Sequence, residues 1–220
     1  MRITLPSGTP AALAVPDGDA TRGVVLAPDI GGLRPLFDEL CERLARENGW
    51  AVCAPEPFPG RETMTIDERM AAVGQLNDDV QLGALVEAAA HLRGLEVDPL
   101  AVLGFCMGGM YALKASGIGQ FDRAVAFYGM IRVPERWRSD TQGAPLDFVT
   151  RPGAAPVLAI IGTADSYTPS EDCDALEDTG ATVVRYEGAE HGFVHDPSRP
   201  AHRATDAADA WRRVKAFLSV

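Results

Sequence analysis

Short runs of apolar, often β-branched residues alternate with longer stretches of helical periodicity along nearly the whole chain. Period and flanking turn residues predict strands at roughly 10–15, 22–27, 50–54, 99–104, 123–127, 156–161 and 182–186. They predict helices at roughly 35–48, 75–93, 107–117, 170–178 and 203–218. Such alternation builds a mostly parallel sheet with helices on both faces, because each element has an apolar side to bury. The turn pairs Ser7-Gly8 and Asp17-Gly18 separate the opening strands and predict an antiparallel start. No repeat or low-complexity linker divides the chain, and the Pro-rich stretch 54–60 reads as a loop at the sheet edge. The expectation is one α/β domain over residues 1–220.

Apolar residues make up 46% and charged residues 23% of the 220, enough for a folded core and against disorder as the main state. No apolar run approaches the roughly 18 residues of a membrane helix. The opening Met-Arg-Ile-Thr-Leu-Pro lacks the apolar stretch of a secretory signal, so a cytoplasmic protein is expected. A net charge of −11 repels phosphate backbones and anionic membranes, which argues against nucleic-acid and membrane partners. A small anionic substrate stays open, since one local arginine outweighs a diffuse surface charge.

Of the four cysteines, Cys53 reads as a strand core residue, while Cys41 and Cys173 sit in helix-like segments. None belongs to a CxxC or Cys/His cluster with zinc spacing, so no metal is expected. Cys106 differs. The run Leu100-Ala101-Val102-Leu103-Gly104-Phe105-Cys106-Met107-Gly108-Gly109 takes a buried strand through G-x-C-x-G-G into a helix. This is the nucleophile-elbow pattern with cysteine in the place of serine, and no serine of the chain occupies a G-x-S-x-G. Gly104 and Gly108 remove side chains that the sharp turn would drive together, and Gly109 lets the helix pack closely. A thiol at a helix N-terminus meets free amides and a dipole that favour its thiolate.

A nucleophile needs a base, and the base an orienting acid. Asp165 follows the strand predicted at 156–161, and His191 follows the strand predicted at 182–186. The order Cys106, Asp165, His191 is that of an α/β-hydrolase. His195 and His202 are rivals for the base and Asp172 and Asp174 for the acid, but none directly follows a strand.

With these motifs in place, the chain resembles the dienelactone hydrolase family of α/β-hydrolases almost from end to end. The resemblance rests on G-F-C-M-G-G at the elbow, Phe127-Tyr128-Gly129 after the next strand, G-x-x-D-x-x-x-P around Asp165, and His191-Gly192-Phe193. It implies hydrolysis of a lactone or activated ester through an acyl-enzyme, with a small-molecule substrate and no cofactor. It also implies an oxyanion hole at the backbone N–H groups of Ile30 and Met107. Where the family usually has a glutamate that tunes the thiol, this chain has Asp29, one methylene shorter, with a cap for the helix near 35 as its alternative role. Members that open dienelactones recruit arginines for a substrate carboxylate, one of them shortly after the histidine; here His195 stands four residues on. Arg61, Arg69, Arg132 and Arg199 remain candidate anion contacts. Tyr128, Phe193 and His195 are expected to line a substrate pocket, with Phe37, Phe105 and Trp137 as further aromatics. A broad carboxylesterase or thioesterase, and a non-catalytic thiol sensor on the same fold, are the competing functions.

Overall fold

A computed structural model describes residues 1–219. Eight strands run β1 (Arg2–Thr4), β2 (Pro10–Ala14), β3 (Arg22–Ala27), β4 (Trp50–Pro55), β5 (Leu100–Phe105), β6 (Arg123–Phe127), β7 (Val157–Gly162) and β8 (Thr182–Tyr186). They form one sheet in the order β1-β2-β4-β3-β5-β6-β7-β8, antiparallel for β1, β2 and the β2–β4 pair, parallel thereafter. The antiparallel start is as expected, but β2 pairs with β4 and not with β3, which follows it in the chain. The strand β1 went unpredicted because three residues with one half-buried side chain leave no readable period.

Seven α-helices accompany the strands: α1 (Pro35–Asn48), α2 (Ile66–Ala72), α3 (Asp78–Gly94), α4 (Met107–Ser116), α5 (Pro145–Val149), α6 (Ser170–Glu177) and α7 (Ala204–Leu218). The helix predicted from 75 begins at 78, because Asn77 accepts the Asp79 amide as a cap and residues 73–75 form a 3₁₀ turn. The short helix α2 was unforeseen, although Thr65 and Glu68 close a capping box at its start.

Alternation within the parallel strands sorts two cores. Leu26, Leu103, Phe105, Val125 and Phe127 point toward α1 and α7. Ala27, Cys53, Val102 and Ala126 point toward α3, α4 and α6. Strands buried on both faces read as continuous apolar runs, which is why the sequence located them so well. The α1 side chains Phe37, Leu40 and Leu44 are buried, each worth about 1.5–3 kcal/mol of apolar burial.

The chain leaves β3 to one side, through β4, and returns on its other side as β5. The loops after β3 and β5 therefore diverge and open a crevice beyond the carboxyl ends of the strands, where ligands of open α/β sheets bind. The Pro-rich loop after β4 lies beside this crevice. It follows an interior strand and is buried through Phe58, which corrects its placement at the sheet edge.

One buried ion pair ties the helices beneath the crevice. Lys114 Nζ of α4 donates to Asp78 Oδ1 of α3 at 2.7 Å, and Asp78 Oδ2 accepts the Gly143 amide at 2.8 Å. Lys114 is fully buried, so removing its partner leaves a charge without compensation. Asp78→Ala is expected to lower the unfolding free energy by about 3–5 kcal/mol in urea melts. Adding Lys114→Met should recover part of that loss; no recovery would mean that the Gly143 bond, and not the charge pair, carries the effect.

Candidate active site

Cys106 stands between β5 and α4 with φ 55° and ψ −119°, a backbone conformation that non-glycine residues rarely adopt. The surrounding packing enforces it. A Cβ on Gly104 would sit 2.0 Å from the Gly108 carbonyl oxygen, and one on Gly108 would sit 2.1 Å from the Ala27 oxygen. The elbow can therefore press against β3 only as glycine. The Cys106 amide donates to the Phe127 carbonyl at 3.0 Å, which ties the turn to β6. Cys106 is partly exposed, whereas Cys41, Cys53 and Cys173 are buried. Burial pushes the thiols of Cys41 and Cys53 up to about 12 and that of Cys173 to about 11.

Asp165 follows β7, and its Oδ1 accepts the Tyr167 amide at 2.9 Å, fixing the carboxylate. Its Oδ2 lies 2.7 Å from His191 Nδ1, with the Asp165 side chain fully buried and the imidazole 17% exposed. The acceptor-only carboxylate sets the tautomer, so Nδ1–H donates and Nε2 is left as the other end. Nε2 is buried and has no hydrogen-bond partner of good geometry among the described residues. Burial disfavours the imidazolium, but the bond to Asp165 and the nearby Cys106 thiol outweigh it and raise His191 to about 9. Cys106 and His191 line one cleft of ≈ 470 Å³.

Ile30, after β3, lines the same cleft, and its amide donates to no other described residue. Met107 opens α4, where a first-turn amide has no helical acceptor. The register pairs Ala27 with Gly104 across β3 and β5, bringing the two loops side by side. Among the described residues no group of three or more His, Cys, Asp or Glu side chains is placed to hold a metal ion.

The rival acids and bases lie elsewhere. Asp172 pairs with Arg132 and Asp174 with Arg185, while His202 lines a groove between α1 and α7. Asp29 lines the cleft, but its hydrogen bonds go to Arg34 (2.6 and 2.8 Å), the Gly31 amide (2.8 Å) and His195 Nε2 (2.8 Å), none to Cys106. Burial would raise its carboxyl, but the bonds from His195 and Arg34 hold it well below the usual range. It does not cap α1, whose first residue follows Arg34 without a side-chain cap.

The expected pocket aromatics need correction. Tyr128, Phe193 and His195 are buried and absent from the cleft wall. They lie in loops and fold into the core under α1 and α7, where Tyr128 and Phe193 join Phe105 and Phe127, Phe193 packs on Tyr186 and His195 stacks on Phe105. Trp137 does line the cleft, with Met130, Tyr167 and, from α2, Ile66 and Met70. The α2 pair was missed with its helix, and the Thr65-x-x-Glu68 capping signature was the signal available. Of the candidate arginines, Arg69 is buried against Glu56 at 2.7 Å and Arg61 stacks near Phe58. Arg199 is exposed at the cleft, its guanidinium close over Gly192. Arg34 also lines the cleft; no periodicity or motif marked it.

Comparison with known proteins decides the family: the model of the dienelactone hydrolase family matches residues 9–220. The chain belongs to the dienelactone hydrolase family. It is 29% identical over 216 residues to a carboxymethylenebutenolidase of Rhodococcus opacus, covering 89% of this chain and 79% of that one. A second relative, carboxymethylenebutenolidase 1 of Cupriavidus pinatubonensis, is 26% identical over 178 residues, 76% of this chain and 71% of its own. The crystal structure of a candidate dienelactone hydrolase from Klebsiella pneumoniae superposes with a TM-score of 0.88 at 26% identity, covering 100% of this chain and 97% of that one. A dienelactone hydrolase-like promiscuous phosphotriesterase from metagenomic libraries shares the fold, with a TM-score of 0.79 at 21% identity over 100% of this chain and 96% of that one. This dienelactone hydrolase family member is a hydrolase with an α/β-hydrolase fold. Among the described residues no helix is long and apolar enough to cross a membrane.

Proposed function

We propose that this chain, one α/β-hydrolase domain, opens a lactone or cleaves an activated ester with Cys106 as nucleophile, His191 as acid–base and Asp165 as its orienting acid. The observation that carries the reading is His191, held by Asp165 at 2.7 Å with its far nitrogen unpartnered, in one cleft with a cysteine on a strained elbow. With the thiol proton taken up by His191 Nε2, Cys106 Sγ attacks the carbonyl carbon as the thiolate, and the oxyanion rests on the amides of Ile30 and Met107, donors fixed before the charge develops. The C–O bond breaks, the leaving alkoxide takes the proton from His191, and a thioester remains. His191 then accepts a proton from water as the hydroxide adds to the thioester, and the carboxylic acid leaves with the thiolate of Cys106 and the protonated His191 restored as a pair. A thiolate is itself a good leaving group, so esters and lactones suit this site better than unactivated amides. The scheme uses no cofactor.

Two arginines at the cleft favour a substrate that carries a carboxylate, as does kinship with proteins named carboxymethylenebutenolidase. Arg34 is committed to Asp29, whereas Arg199 makes no ion pair among the described residues. The test compares lactones with and without a carboxylate. Arg199→Gln is expected to lower kcat/KM roughly tenfold for the carboxylated lactone, one charged hydrogen bond's worth, and to leave a neutral ester unaffected. Equal losses on both would move the anion contact away from Arg199. A failure of the wild-type protein to hydrolyse any lactone or ester would overturn the proposed activity.

A further inference from the structure

Below the cleft, and outside the triad, lies a second acid–histidine pair. His195 Nε2 is 2.8 Å from Asp29 Oδ2, and His195 Nδ1 bonds the Tyr128 hydroxyl. The imidazole is fully buried and stacks on Phe105 with ring centroids 4.7 Å apart. Each contact reaches the neighbour of a reacting group. Asp29 precedes Ile30, Phe105 precedes Cys106, and Tyr128 follows Phe127, whose carbonyl accepts the Cys106 amide. The Tyr128 ring also meets His191 edge-on at 5.1 Å. Tyr128 is itself held at φ 38°, a conformation that a tyrosine keeps only when its surroundings insist.

We propose that His195 is a positioning residue: its one imidazole joins the loops after β3 and β6 and the end of β5 to the loop that carries His191, and so keeps the Ile30 amide in register with the Cys106 thiol. The inference rests on the catalytic reading above and adds a group that touches no reacting atom.

The hydrogen bonds fix the protons. Asp29 can only accept, since His195 and Arg34 keep it ionised, so His195 Nε2–H donates. Burial keeps the Tyr128 phenol protonated, and among the described residues the acceptor within its reach is His195 Nδ1, so the hydroxyl donates there. Every proton in the chain from Tyr128 through His195 to Asp29 then has an acceptor. Had Nδ1 also carried a proton, the fully buried Tyr128 O–H would have none, a cost of about 1–3 kcal/mol. Arg34 balances the Asp29 charge with two bonds. The hydrogen bonds of the assembly are thus satisfied throughout, and that satisfaction is lost when either end is cut. An oxyanion donor acts chiefly in the transition state, so a shift of its loop lowers turnover more than substrate binding.

The experiment separates acyl transfer from simple alkylation. Iodoacetamide reacts with the Cys106 thiol without forming an oxyanion, whereas ester hydrolysis needs one. His195→Phe keeps an aromatic ring on Phe105 and removes both hydrogen bonds. It is expected to lower kcat about a hundredfold, as misplacement by an ångström does, with KM and the alkylation rate close to wild type. His195→Gln, which retains one donor and one acceptor, should recover part of the loss. Should His195→Phe not fold, Tyr128→Phe removes a single hydroxyl from the same network and is read in the same way. Unchanged kcat in the folded variant overturns the inference. So does a parallel fall of kcat and alkylation, which means that the whole site has collapsed. Turnover by Cys106→Ala would instead remove the catalytic reading itself, and it is measured on a different variant.

Discussion

Cys106→Ala is expected to lower kcat on p-nitrophenyl acetate by about 10⁵-fold or more, down to what the oxyanion donors and binding alone provide. No other cysteine stands ready: the remaining three are buried, with thiols raised to between about 11 and about 12. Iodoacetamide should accordingly label Cys106 ahead of Cys41, Cys53 and Cys173, and the labelled protein should be inactive. Mass spectrometry of the alkylated peptides, paired with residual turnover, checks both halves. Substantial activity in the alanine variant would rule out the cysteine mechanism. Labelling spread over several cysteines would show that the elbow does not single out its thiol.

The second large effect concerns the Asp165–His191 pair beside Cys106. Asp165→Asn should cost roughly 10²–10⁴-fold in kcat, because the amide no longer imposes the tautomer that leaves Nε2 toward the thiol. The pH profile carries more information than the size of the loss. His191 lies at about 9, against an ordinary 6.5, because the bond to Asp165 and the Cys106 thiol outweigh burial. A raised histidine keeps its proton, and the pair's contribution to stability, in full below its ordinary value and loses them as pH rises through about 9. Acylation, which draws on that proton, should therefore fall on an alkaline limb near pH 9. Without the carboxylate, burial acts with less opposition, and the limb should move toward neutral pH. A limb that stays in place in Asp165→Asn would detach the profile from His191.

The acid–histidine pair and the elbow were legible in the sequence because each is local. Gly104, Gly108 and Gly109 surround Cys106 within six residues, and Asp165 and His191 each follow an apolar strand directly. The strands were equally clear, since a sheet covered on both faces demands continuous apolar runs. Local pattern failed where roles are assigned by the far side of the molecule. Tyr128, Phe193 and His195 look like pocket residues beside the site motifs, but side-chain direction and the helices α1 and α7 draw them into the core. Asp29 seemed free to face the thiol until Arg34, five residues on, and His195, 166 residues on, took its oxygens. The cleft wall from α2 escaped notice because seven residues with few buried side chains carry almost no period. Short-range sterics and hydrophobic period thus determined the fold, the cysteine elbow and the acid–histidine pair that follows β7 and β8 from the chain alone. Which buried polar groups satisfy one another was decided only by the crossing of loops distant in sequence, because a hydrogen bond needs two ends and the sequence displays one at a time.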